Sequence, residues 1–122
     1  MGLDMYAFAT RKAPSDKVDF PQHKEDFELH YWRKHPNLHG WMQRLYRAKG
    51  GTAEQFNLAT VVLDTADLGQ LEADICADRL PETAGFFFGR SDSTEKADDL
   101  MFVTAARRAI ADGLTVYYTS WW

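Results

Sequence analysis

Residues 2–9 alternate, with Leu3, Met5, Ala7 and Ala9 interleaved with Asp4, Tyr6 and Phe8. Period-two alternation predicts a strand, and the second set is apolar enough for both faces to be partly covered. Residues 10–24 carry Pro14, Pro21, Ser15 and several charges, the composition of a loop. Alternation resumes over 26–33, with Phe27, Leu29 and Tyr31 on one face and Glu28, His30 and Trp32 on the other. The period then changes. Pro36 suits a first helical turn, where its missing N–H costs nothing. Leu38, Trp41, Met42 and Leu45 follow at helical spacing, and Gly50-Gly51 ends the helix.

The run 56–63 predicts another strand. Thr65 is the expected cap of a second helix with Leu68, Leu71 and Ile75 inward, closed by Pro81. Gly85 to Gly89 encloses three phenylalanines and reads as a short strand or bulge with glycine hinges. Asp92 and Glu95 have the spacing of a capping box for a third helix. Its buried face is Phe102, Val103, Ala106, Ala109 and Ile110, and Gly113 stops it. Thr115–Trp121 is the last strand. The order β-β-α-β-α-β-α-β predicts an α+β fold: an antiparallel or mixed sheet of about four to five strands, with about three helices packed mainly on one face.

A chain of 122 residues suits one compact domain spanning 1–122. A net charge of −4 argues against general binding to the nucleic-acid backbone, which relies on Lys and Arg. The basic run 43–49 reads as a solvated helix face. No stretch approaches the roughly 20 apolar residues of a membrane span, and the first residues lack the pattern of a secretory signal. The expected location is the cytoplasm. Cys76 is the lone cysteine, so neither an intrachain disulfide nor a multi-cysteine zinc site is available. Flanked by Asp74 and Asp78, it reads as a packing residue.

Tyr31-Trp32-Arg33-Lys34 carries the sharpest chemical signal. Arg and Lys beside large aromatics recognise a phosphate, a carboxylate or a base face, and Trp, Tyr and Arg also dominate protein-binding hot spots. The plainer reading is a strand whose Tyr and Trp pack while Arg and Lys reach water. His35 and His39 have the spacing of a helical metal pair, but Pro36 puts His35 outside the helix and no glutamate follows as general base, so neither a metal nor any other cofactor is assigned. Gly85–Ser91 differs from a phosphate loop in spacing and in having Arg for Lys. Ser120 and His39 lack the sharp turn that holds a serine nucleophile. Trp121 and Trp122 either pack back on the domain or cover a partner.

Several runs together resemble a family of small uncharacterised proteins from phages, prophages and bacteria. They are Gly2-Leu3-Asp4-Met5-Tyr6; Tyr31-Trp32-Arg33-Lys34 with Asn37, His39 and Trp41; Leu80-Pro81 with Gly85 to Gly89; and Tyr118-Thr119-Ser120-Trp121. They span almost the whole chain. The chain departs from the family at His35-Pro36 and in a more strand-like 50–62. The resemblance implies a compact accessory protein with no assigned reaction. A phosphoglycerate-kinase label sometimes given to such proteins does not suit a chain too short for two lobes. The family's recurring polar residues correspond to Asp4, Arg33, Lys34, Asn37, His39 and Ser120, which together could form one cleft.

These signals define the expected site as Asp4, Tyr31, Trp32, Arg33, Lys34, Asn37, His39, Trp41, Ser120 and Trp121, with no catalytic residue assigned. The first expectation is a phage-type binding protein whose partner is a host protein, as in interference with host defence, including CRISPR complexes. The second is a small enzyme or binding module for a nucleotide or other phosphate compound, with Arg33, Lys34 and His39 on the anion and Asp4 as base. The third is a homodimer that buries its terminal tryptophans.

Overall fold

The computed structural model describes residues 2–85 and 88–122. Among the described residues four strands, β1 (Asp4–Thr10), β2 (Phe27–Arg33), β3 (Thr60–Leu63) and β4 (Thr115–Trp121), form one antiparallel sheet in the order β2-β1-β4-β3. Three α-helices of these residues, α1 (Pro36–Ala48), α2 (Thr65–Cys76) and α3 (Lys96–Ala111), pack against it. The α+β class follows directly from the sequence pattern. Phe86 and Phe87, the centre of the expected fifth strand, lie outside the described residues; Phe88 sits in a turn, its N–H donating to the Gly85 carbonyl at 3.2 Å.

Strand alternation gives the sheet two unlike faces. Met5, Ala7 and Ala9 stand opposite Ser120, Tyr118 and Val116, all buried. Val61 and Leu63 extend this face from β3, and Trp32 extends it from β2. Phe102 of α3 meets Trp32 edge-on at 4.8 Å, and His39 of α1 reaches Tyr118. The second face carries Asp4, Tyr6, Phe8, Tyr31, Arg33, Tyr117 and Trp121. The 10–26 loop covers only part of it: Phe20 packs edge-on against Tyr117 at 5.2 Å, and the Tyr117 hydroxyl donates to Asp26 at 2.7 Å.

All three helices end in the same motif, a left-handed residue with two backward backbone bonds that satisfy terminal carbonyls. Gly50 (φ 99°) ends α1, with Gly51 N–H bonded to the Tyr46 carbonyl at 2.9 Å. Gly113 (φ 88°) ends α3, with Leu114 N–H bonded to Ala109 at 3.0 Å. At α2 the residue is Asp78 (φ 56°), with Arg79 N–H bonded to Asp74 at 2.8 Å. Helix α2 therefore stops well before Pro81. Its cap is also not Thr65 but Asp64, whose carboxylate accepts the Asp67 N–H at 2.8 Å while Asp67 reciprocates at 2.9 Å. A carboxylate at the N-terminus is the better partner for the unpaired N–H groups and the helix dipole. Asp92 and Glu95 form the expected capping box, but it opens a short 3-10 turn, Ser93–Glu95, that leads into α3.

Three further expectations change. Strand β3 begins at Thr60 rather than 56, because Leu58 is left-handed (φ 62°) and Asn57 instead clamps the C-terminus, its side chain bonding the Trp122 carbonyl at 2.8 Å and the Trp122 N–H at 3.0 Å. Cys76, the last residue of α2, is exposed rather than packed. The register of β2 shifts between Ala7 and Phe8, leaving Leu29 as a bulge and placing Glu28 opposite Phe8.

Asp78 holds a conformation that glycine adopts freely. Asp78→Gly is expected to raise stability by about 0.5–1 kcal/mol, and Asp78→Val to lower it by at least about 1 kcal/mol, in urea denaturation.

Candidate functional site

The open half of the second sheet face is built by register. Asp4 stands between Arg33 on β2 and Trp121 on β4. The Tyr31 hydroxyl donates to Asp4 Oδ1 at 2.6 Å, and Arg33 Nη1 lies 3.7 Å from the same oxygen. The hydrogen bond to Asp4, reinforced by burial, pushes the Tyr31 phenol up to about 12. Tyr31 packs on Tyr6 at 5.3 Å, Tyr6 on Phe8 at 5.9 Å and Phe8 on Tyr117 at 5.6 Å. This aromatic row is anchored at the Tyr117 end under the loop and open at the Tyr31 end. Tyr31 is 43% exposed and Trp121 is 64% exposed. A cavity of about 320 Å³ lies between Gly2, Asp4, Trp121 and Trp122. Lys34, in a left-handed turn (φ 54°), hydrogen-bonds the Leu3 carbonyl at 2.8 Å and keeps an exposed side chain beside this face.

The ten expected residues therefore divide. Asp4, Tyr31, Arg33, Lys34 and Trp121 gather on or beside the open face. Trp32, His39, Trp41 and Ser120 are buried on the helix side. Trp41 Nε1 donates to Asp74 at 2.9 Å and ties α1 to α2. Asn37 accepts the Thr83 N–H at 3.0 Å and fixes the loop after α2. Among the described residues Ser120 Oγ is sealed without a hydrogen-bond partner, and burial raises the phenol pKa of nearby Tyr118.

His39 is enclosed by the rings of Phe56 and Phe88, at 4.9 and 5.0 Å. Burial lowers its pKa to about 4, against a smaller opposing effect of a hydrogen bond to the Phe56 backbone. The neutral ring accepts the Tyr118 hydroxyl at Nδ1, 2.6 Å away. Held uncharged behind the sheet, it cannot share an anion with Arg33 and Lys34.

A second polar cluster centres on His35 and Asp99, neither of them among the ten expected residues. His35 Nε2 donates to Asp99 Oδ2 at 2.8 Å, while Asp99 Oδ1 accepts Trp32 Nε1–H at 3.0 Å. His35 Nδ1 faces Ser91 Oγ at 2.7 Å and Glu95 Oε2 at 3.2 Å, and burial raises the Glu95 pKa. A cavity of about 220 Å³ adjoins His35, Ser91, Lys96 and Asp99. Serine, histidine and aspartate in sequence resemble a nucleophile relay, which needs the ring nitrogen reserved for the serine. Here Glu95 crowds that nitrogen, and Ser91 Oγ already accepts the Asn37 N–H at 3.0 Å. The arrangement is a satisfied junction of β2, α1 and α3. Its one sequence signal was Asp99, which shares the helical stripe of Phe102, Val103 and Ala106. Tyr6 and Phe8 were also missed; the signal was that β1 alternates small or flexible apolar residues with aromatic ones.

Among the described residues no group of three His, Cys, Asp or Glu side chains is placed to hold a metal ion, and no helix is long and apolar enough to cross a membrane. No protein-family model matches the chain, and no curated protein or solved structure shows significant similarity to it.

Two outcomes follow from this geometry. Unfolded His39 takes up a proton near its ordinary 6.5, and the folded residue only near 4. Between those values protons favour unfolding, so stability falls as pH drops through the window, by about 3 kcal/mol from this residue, and levels off below it. His39→Asn keeps an acceptor for Tyr118 and is expected to flatten that loss when urea denaturation is compared at the two ends of the window. Asp99→Ala strips acceptors from both His35 and Trp32 and is expected to cost about 3–5 kcal/mol in the same measurement.

Proposed function

We propose that this chain is a binding protein that engages another protein through the open sheet face around Tyr31, Arg33 and Trp121. The observation that carries this reading is Trp121. It is a large aromatic at the end of a fully paired strand, left 64% exposed beside a cavity, while its neighbour Trp122 is tied down through Nε1 to the Phe56 carbonyl at 2.9 Å. Trp, Tyr and Arg on one rigid surface are the side chains that supply most binding energy at protein interfaces. Sheet pairing holds them in place before contact, which lowers the entropy lost on binding. The resemblance to phage-associated proteins makes a host protein, including a component of host defence, the first partner to test.

A phosphate-ligand reading has less support. Arg33 and Lys34 stand on the solvent side and His39 on the buried side. The cavity next to His35 is lined by Asp78, Asp92 and Asp99 against Lys96, which is itself paired with Asp78 at 3.0 Å.

The test is affinity capture from a host lysate, followed by titration of the recovered protein. Trp121→Ala is expected to weaken binding by about tenfold or more, whereas Met101→Ser, at an exposed apolar residue of α3, leaves it unchanged. Equal binding by both variants, or no stoichiometric partner, defeats the proposal.

A further inference from the structure

The two edges of the sheet are treated differently. On the β3 side the chain covers its own edge: Val18 bridges Val61, Asp19 N–H donates to the Thr60 carbonyl at 3.0 Å, and Val62 N–H donates to the Lys17 carbonyl at 2.9 Å. On the β2 side, among the described residues, no backbone group outside β1 pairs with Phe27–Arg33. This edge is seven residues long and contains neither Pro nor Lys, two residues that commonly blunt exposed edges. Phe27 and Tyr31 on it are 39% and 43% exposed.

We infer that β2 pairs antiparallel with β2 of a second copy of this chain, about a two-fold axis at Tyr31, joining the two sheets into one. The bulge makes this register self-complementary. Without it, Glu28 and Arg33 would fall on opposite faces; with Leu29 displaced, Glu28, Tyr31 and Arg33 share the open face, opposite Phe8, Tyr6 and Asp4 of β1. In an antiparallel pair centred on Tyr31, Tyr31 meets its own copy, Trp32 stands opposite His30, and Arg33 stands opposite Glu28 at both ends. Two reciprocal ion pairs thus flank a Tyr–Tyr contact. Neighbouring registers that preserve the faces lose both ion pairs. A two-fold contact uses one patch twice, so a strand whose opposite charges are symmetric about its centre fits a copy of itself. Arg33 is free to take part, since its present contact with Asp4 is long, at 3.7 Å, and half exposed to solvent.

The pairing draws on Tyr31 and Arg33 of the proposed partner-binding face but leaves Trp121 uncovered. Trp121 lies two strands away from β2, so the joined sheet would present two copies of that face on one surface.

Sedimentation equilibrium on the chain alone tests the inference. The expected result is a reversible dimer of twice the 14.0 kDa chain mass. Glu28→Arg and Arg33→Glu each place like charges opposite one another and should weaken the dimer by about tenfold or more, while the double variant exchanges the signs and restores it. Trp121→Ala should leave the dimer intact. A monomeric wild type, single variants that still dimerise normally, or a folded double variant that stays monomeric overturns it. Circular dichroism of each variant separates lost pairing from lost folding.

Discussion

The Asp99 carboxylate is the interaction on which the arrangement turns. It is buried on the apolar stripe of α3, where an unpartnered charge would be prohibitively costly. Both oxygens are engaged, one by Trp32 and one by His35. Trp32 is thereby held against Phe102 on the helix side of β2. Because adjacent strand residues point to opposite faces, fixing Trp32 inward turns Tyr31 and Arg33 outward. A single buried acid thus joins β2, α1 and α3 and decides which aromatic residue of the Tyr31-Trp32 pair faces solvent.

The same constraint explains the unequal use of polar residues that look alike in sequence. Asp4 and Asp99 each accept a hydrogen bond from an aromatic side chain of β2, one at a solvent face and one sealed in the core. His35 and His39 are one helical turn apart, yet His35 meets carboxylates and Ser91 while His39 meets phenyl rings and a phenol. Their separate environments follow from the entry of α1, with His35 at the junction before Pro36 and His39 on the stripe facing β4.

Residues that signal locally were legible in the chain. Glycines 50 and 113 ended helices because only a residue tolerant of positive φ fits there, and Asp92 with Glu95 marked the approach to α3. The alternation over β1 and β2 and the helical stripes of α1 to α3 pointed to the α+β class. Asp78 performs the glycine role at α2 without a glycine's signal. Asn57 and Leu58 sit in a run whose composition favours a strand, but contacts with the C-terminus redirect them. Of the expected site, the residues exposed at strand ends gather together, and those on helical stripes do not.

Sequence by itself determined the periodicities, most element ends and the presence of aromatic–arginine chemistry, because each of these depends on residues within a turn or two of one another. Tertiary structure alone decided the bulge at Leu29, the burial of His39, the Trp32–Asp99–His35 junction and the exposure of Trp121. Those depend on pairings between residues dozens of positions apart, where strand register and packing, rather than local spacing, choose which side of the sheet each side chain takes.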